Sequence, residues 1–359
     1  MADTTFASGS AQAVDLYSKM TFAETSKRAF ISNFMGKAGD MEAVIVRVDN
    51  LEKHAGEQVF YDLLMEPTGA GVTGDSEMRD NEEPMVYYQD SIYINQLRNA
   101  HAWGKMSQQR TLHNLRKDAA KNLGKWFSKK YDDYMFRALC GDTTLTHGQA
   151  AVAPDGDHFI VCGDVTHNAT AATAEASIGN NDQIELADLD FAKEKGKTIT
   201  PMMVPTVIEG KEYWVAVLHT YCMTDLRLGI GTTSGYTKWQ DIQQYANRRG
   251  LKNPIFTNAD GVYNGIILYD SSRIFSPASG VYRNLFLGAQ AGAFAVGSAY
   301  DRIDEKKYGK LPMSWEEDAR DFKNNKAIAV GSIFGIKACR FNSKNFGAMV
   351  MSAYGALHN

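Results

Sequence analysis

Between Gln58 and Leu139 the chain calls for two elements that a compact core cannot hold by itself. The first is a pair of strand-like runs, Gln58 to Leu64 and Met85 to Leu97. They are joined by Pro67, the glycine-rich Gly69-Ala70-Gly71-Val72-Thr73-Gly74 and the acidic, polar stretch Asp75 to Glu83. Long strands closed by a polar tip predict a projecting β-hairpin, and an isolated two-stranded ribbon is only marginally stable in water. It must rest on a neighbour. The second is a helix over Ser107 to Leu139, where Leu112, Leu115, Ala119, Leu123, Trp126, Lys130 and Tyr134 recur at three- and four-residue spacing. No proline interrupts it, Ser107 suits the N-cap, Gly141 suits the stop, and Gly124 is its weak point. At the helical rise such a rod is on the order of 50 Å long.

The flanks are read against these two elements. Residues 1–40 are small and polar and predict an arm, with short helices over Ala11 to Lys19 and Thr21 to Met35 ended by Gly36 and Gly39. So little apolar surface cannot fold alone. Val44, Val46 and Val48 alternate as in a strand, and Asp142 to Asn181 reads as a surface excursion. Further on, Asp188 to Gly196 predicts a helix capped by Asp188, Glu212 to Leu218 a buried strand, and Lys238 to Arg249 an amphipathic helix. Asn253 to Phe275 predicts strand, turn at Asn258-Ala259-Asp260-Gly261, then strand. Leu285 to Val296 suits close packing, and Ala327 to Val330 and Ile333 to Met351 are strand-like runs returning to a core. With no βαβ rhythm and no internal repeat, the class is α+β.

Composition removes several classes of function. A net charge of −4 does not recruit nucleic acid or an anionic membrane. Cys140, Cys162, Cys222 and Cys339 lie far apart with no CxxC pair, as free thiols in a reducing compartment do. The N-terminal segment lacks the basic start and apolar stretch of a signal peptide, and no run approaches the ~20 apolar residues of a membrane span.

Candidate chemistry fares no better. Gly69, Gly71 and Gly74 spell GxGxxG, but a dinucleotide site needs a strand before the glycines and a helix after them to hold pyrophosphate. Here Pro67 precedes them and carboxylates follow, so the motif reads as a loop tip. The histidines show no HExxH or HxH spacing, and Asp155-Gly156-Asp157-His158 reads as an exposed polar turn. No serine sits in a GxSxG elbow and no cysteine in a nucleophile context. The expectation is a protein that is not an enzyme and carries no metal or cofactor.

One charge pattern is informative. The hairpin tip carries Asp75, Glu77, Asp80, Glu82 and Glu83, whereas the helical segment after it carries Arg110, Arg116, Lys117, Lys121 and Lys125. Opposite charge on adjoining elements suits one subunit's hairpin lying across another's helix, and two solvated faces give the same pattern.

The run Tyr87-Tyr88-Gln89-Asp90-Ser91-Ile92-Tyr93-Ile94-Asn95-Gln96-Leu97-Arg98, with Gly104-Lys105-Met106-Ser107-Gln108-Gln109-Arg110 and Leu115-Arg116, resembles the capsid-like major head proteins of tailed phages. The resemblance is dense from about Ala43 to Gly141 and looser through Tyr213 to Arg227 and Leu285 to Gly297. Arg79-Asp80-Asn81-Glu82-Glu83 departs from the Glu-Gly-Asn-Glu-Glu usual in that family.

The resemblance implies a Hong Kong 97 type capsid fold: an N-terminal arm over 1–40, an extended loop over 41–104, and a peripheral domain over 105–204 with a spine helix at 107–139. An axial domain over 205–325 and return strands over 326–359 complete it. It further implies a major capsid protein whose hexamers and pentamers form an icosahedral head in the host cytoplasm around packaged double-stranded DNA. Its partners would be portal, scaffolding and decoration proteins, with weak contact to DNA and none to membrane. The alternatives are an encapsulin-like cargo shell and a cytoplasmic enzyme with a glycine-rich cofactor loop. From the net charge, free subunits should be unretarded by DNA of any sequence in a gel shift at physiological salt. Tight, sequence-dependent retention is the contrary result.

Overall fold

The computed structural model describes residues 11–38, 40, 42–48, 56–64, 69–75, 77–79, 81–163, 175–208, 210–228, 259–298 and 313–358. The helix expected over Lys238 to Arg249, Gly39 and Asp80 lie outside them. Among the described residues two mixed sheets share the core. A six-stranded sheet joins β1 (Met35–Ala38), β2 (Ile45–Val48), β12 (Gly292–Val296), β14 (Asn325–Ala338) and β13 (Ser314–Arg320), with β5 (Asn95–Gly104) also paired to β14. A seven-stranded sheet runs β6 (Phe159–Val161), β17 (Ala348–Tyr354), β11 (Val281–Leu287), β8 (Lys211–Leu218), β10 (Ile266–Asp270), β9 (Gly261–Tyr263), with β7 (Thr206–Ile208) beside β8.

The second sheet is covered on both faces, which explains its unbroken apolar strands. Val215, Val217, Leu285 and Leu287 enter the main core. Their neighbours Trp214, Ala216, Leu218 and Phe286 enter a second core. That second core includes Leu189 of α4 (Leu186–Thr198) and Cys222 of α5 (Thr220–Leu228). Period-two alternation sends the buried apolar residues of such a strand in turn into one core and the other.

The single helix expected over Ser107 to Leu139 is two pieces: α2 (Lys105–Arg110) and α3 (Leu115–Leu139), parted at Thr111–Asn114. Asn114, not Ser107, is the N-cap of α3, its Oδ1 accepting from the Lys117 N–H at 3.2 Å. The cap competes successfully because Asn offers the first turn a partner that a mid-helix residue cannot. At the other end the expectation holds. Gly141 takes φ +69°, and the N–H groups of Gly141 and Asp142 bond the carbonyls of Ala138 and Arg137.

The arm is one helix, α1 (Ala11–Arg28), followed by a 3-10 turn at Phe30–Asn33 and then β1, not two helices ending at Gly36. It lies on its own chain. Its buried face is polar: Ser18, Thr21 and Thr25 are each no more than 1% exposed. Ser18 Oγ donates to the Met313 carbonyl at 2.5 Å, and Thr25 Oγ1 to those of Thr21 at 2.9 Å and Gly124 at 3.2 Å. Gly124 permits this approach, since a Cβ there would sit 3.0 Å from the Thr21 carbonyl oxygen. Tyr17 stacks on Trp315, and after the helix the Phe30 and Ile31 N–H groups both donate to Asp132 of α3.

Four further expectations are corrected. Asp142 to Asn181 is not purely a surface excursion: Leu145 and His147 are buried, and β6 pairs parallel with β17 inside the second sheet. The Asp155–His158 turn is exposed at Gly156 and Asp157, but not at its last residue. His158 is fully buried, its Nδ1 2.8 Å from Asp155 Oδ1, while Asp155 Oδ2 accepts the Asn345 N–H at 2.6 Å. Asp188 is the third residue of α4 rather than its cap, receiving the Glu185 N–H at 2.7 Å, and Gly196 lies within the helix. Of the strand, turn and strand expected over Asn253 to Phe275, residues 253–258 lie outside the described ones; Gly261 opens a strand, and the turn from β9 to β10 is Asn264-Gly265, at φ 44° and 78°, the two-residue type that suits strand twist.

The hairpin pairs β3 (Gln58–Leu64) with β4 (Tyr87–Tyr93), in register from Gln58↔Tyr93 to Leu64↔Tyr87. The run Met85 to Leu97 is not one strand of it, because the chain leaves at Ile94 and continues as β5 along β14. Asp90 fastens the root. Its carboxylate accepts from Lys337 Nζ, from the Arg340 N–H at 3.1 Å and from Tyr61 Oη at 2.7 Å. Val59 and Ile92 add a small core with Ala293, Ala295, Cys339 and Phe341.

Two outcomes follow for stability. Asp90→Ala leaves a nearly buried ammonium without its partner, which should cost roughly 3 kcal/mol and speed hydrogen exchange in β3 and β4. The second concerns pH. Burial raises the Asp132 carboxyl to about 6, against the pull of the two backbone N–H groups. A carboxyl with a folded pKa above its unfolded one adds stability as pH falls through the window from about 6 to about 4, on the order of 2–3 kcal/mol. Asp132→Asn should flatten that slope, read as the difference between the urea midpoints of the two proteins at each pH. Parallel curves would refute it.

Candidate assembly surface

The hairpin's far end is built to stay open. Gly71 and Gly74, both at φ +69° with free space where a Cβ would lie, turn the chain in the left-handed region. Glu83 Oε2 accepts the Gly69 N–H at 2.7 Å across the loop. Asn81 closes a turn by bonding the Met78 carbonyl through its N–H and the Glu77 carbonyl through its side chain, each at 3.0 Å. Among the described residues no helix follows the glycines, and a carboxylate already occupies the Gly69 N–H. The GxGxxG spacing therefore serves a turn and offers no cradle for a phosphate.

Asp75, Glu77, Glu82 and Glu83 are all exposed around this loop. Between them stand large apolar side chains: Met78 at 58%, Met85 at 77% and Tyr87 at 60% exposure. An acidic rim here surrounds methionine and tyrosine side chains that this chain leaves in water. The charges are legible in the sequence, whereas the apolar Met85-Val86-Tyr87 beside them stand out only once their exposure is known.

The basic residues divide. Lys117, Lys121 and Lys125 are exposed in one row, four residues apart on α3, and Arg110 is exposed at the end of α2. Arg116 is engaged by its own chain. Its Nε donates to Glu317 Oε1 at 2.7 Å, and its guanidinium lies 4.4 Å from the centroid of the Tyr17 ring. It ties the arm, α3 and β13 together. Burial alone separates Arg116 from Lys117, and one-dimensional charge counting could not.

Beside the start of α3 a groove of about 1040 Å³ opens between α2 and the end of the β13–β14 hairpin. Trp103, Leu112, Ala327 and Ile328 form its apolar walls, and Lys105 and Lys326 stand at its rim. Among the described residues no group of three His, Cys, Asp or Glu side chains is placed to hold a metal ion, and no helix is long and apolar enough to cross a membrane.

The chain is 23% identical to the major capsid protein of Pseudomonas phage KPP25, over 96% of each protein. Its fold is similar to that of the capsid of Ralstonia phage GP4, with a TM-score of 0.76, 27% identity and 93% of each chain covered. It is also similar to the Cyanophage Pam1 capsid, with a TM-score of 0.71 and 20% identity over 93% of this chain and 94% of that one. Neither the cargo-shell nor the enzyme alternative gains support. Arm, rooted hairpin and paired sheets fall within a match to the phage capsid protein model that runs from residue 5 to residue 356, and the chain belongs to that family.

Proposed function

We propose that this chain is the major shell subunit of a tailed-phage head, its copies forming the hexamers and pentamers of an icosahedral shell around double-stranded DNA. The observation that carries the reading is the hairpin. Its root is locked to the body through Asp90, while its end presents carboxylates, methionines and a tyrosine to solvent. A monomer gains nothing from a fixed projection of that kind. A subunit that must grip its neighbour does.

In this reading α1 with its flanks is the arm over 1–40, the hairpin lies in an extended loop over 41–104, and α3 is the spine of a peripheral domain. The seven-stranded sheet supplies most of an axial domain over 205–325, with β6 and β17 reaching into it from the segments on either side. Assembly takes place in the host cytoplasm, and the mature location is the virion. Scaffolding, portal and decoration proteins act on the outside or inside of the shell. The modest net charge leaves contact with packaged DNA weak.

The acidic hairpin end docks on the row Lys117, Lys121 and Lys125 of an adjacent copy. Single exposed ion pairs contribute little, so several pairs and burial of the methionines must act together. Light scattering and negative-stain microscopy of the purified chain, with and without a scaffolding protein, should show closed particles. A monodisperse monomer under both conditions would overturn the reading. Glu82→Lys with Glu83→Lys should lower particle yield several-fold without changing the circular dichroism spectrum, and Lys117→Glu with Lys121→Glu in the same chain should restore part of it. Normal assembly of the hairpin variant at low salt would remove this contact while leaving the shell assignment intact.

A further inference from the structure

One apolar side chain on this molecule is held out in solvent by a strained turn. Phe322 is 101% exposed. It sits in the four-residue connection Asp321–Asn324 between β13 and β14, whose last pair is Arg320↔Asn325. Asp321, Phe322 and Lys323 take φ of 49°, 48° and 68°, three successive non-glycine residues in the left-handed region. L-residues disfavour that region, a bulky aromatic among them, and such strain persists only where surrounding bonds impose it. Those bonds are present. The Asn324 N–H bonds the Asp321 carbonyl at 2.8 Å, and the Asn324 carbonyl accepts the Lys105 N–H at 3.0 Å, tying the turn to the first residue of α2.

The groove described above opens on the same corner. Leu112, at 105% exposure, stands on one side of it, and Lys323 of the turn lines another. Phe322 does not enter the groove of its own chain and stands fully in solvent. The groove of a second copy can take it. The charges agree with that occupant: Asp321 stands beside the ring, and the groove offers it Lys105 and Lys326. A volume of about 1040 Å³ holds an aromatic ring and its flanking turn with room to spare.

We infer that Phe322 is an assembly knob that seats against Leu112 and Trp103 in the groove of the next copy of this chain. Knob and socket are different surfaces of one corner, so the contact is head-to-tail, and repetition about a rotation axis closes it into a ring. The inference rests on the reading of the chain as a shell subunit. It does not depend on the docking of the acidic hairpin.

The test uses two full-length single variants, Phe322→Cys and Leu112→Cys, co-expressed and assembled together. All four native cysteines are buried and so remain silent. After treatment of particles with a short bismaleimide, a denaturing gel should show a covalent dimer at least ten-fold stronger in the mixture than in either variant alone. Particles of the mixture with no dimer above the single-variant background would overturn the inference and leave the shell reading standing. Failure of the unaltered chain to form particles at all would overturn both. Independently, Phe322→Ser touches no core residue, so its circular dichroism spectrum should match the parent while particle yield falls several-fold. Unchanged yield and unchanged resistance of the particles to urea would count against the knob.

Discussion

Backbone contact at Gly335 sets the geometry on which the projecting hairpin depends. A Cβ at this position would lie 2.4 Å from the Tyr93 carbonyl oxygen, so only glycine lets the end of β4 cross β14 at this distance. Once the crossing is made, Asp90 falls beside Lys337 and the Arg340 N–H, and the chain after Ile94 is in line to pair with β14 from Phe334 back to Asn325. One close approach therefore fixes three things together: where the hairpin leaves the body, which carboxylate holds it, and the register of β5. Tyr131 and Phe334, packed edge to face at 4.7 Å, carry the same strand onto α3.

The arm is attached by a different kind of force. Its buried side chains at Ser18, Thr21 and Thr25 give hydrogen bonds to carbonyls and little apolar area, and Gly124 removes the side chain that would keep the two helices apart. Each net hydrogen bond contributes on the order of 1 kcal/mol, well below the burial of a large apolar side chain. Apolar anchoring comes from Tyr17 against Trp315, from Phe22 on the core, and after the helix from Phe30 and Phe34 against Tyr269. Asp132 joins the two regimes. It holds the chain just after the helix through two backbone N–H groups, and it does so from a buried position that disfavours its charge.

These two attachments leave the outer surface to assembly. The seven-stranded sheet has a core on each face, and several of the most exposed large apolar side chains stand on projections: Met78, Met85 and Tyr87 on the hairpin, Leu112 and Phe322 at the corner by α2. A subunit organised this way can be stable in itself and still have much of its projecting surface unfinished. That division suits a shell, where each chain must fold before it meets its neighbours and must then hold several of them.

Local pattern alone determined the α+β class, the hairpin with its polar end, the core of the long helix and its stop at Gly141, because each rests on periodicity or on a single residue's backbone preference. Reading a capsid subunit from the run Tyr87 to Arg98 also needed only sequence, since polar residues in specific order are what a family retains in its letters. Everything that turned on distant pairing lay beyond it. The helix breaks at Thr111–Asn114 ahead of the Asn114 cap, and the α2 piece before the break is held at Lys105 by Asn324, more than two hundred residues away in the chain. His158 reads as a surface histidine until β6 is placed against β17. Arg116 and Lys117 are neighbours with one charge each, and only the packing of Tyr17 and Glu317 around the first decides that the second is the one left free to face solvent. Charge, period and propensity are properties of a residue and its near neighbours, whereas burial and pairing belong to the closed chain.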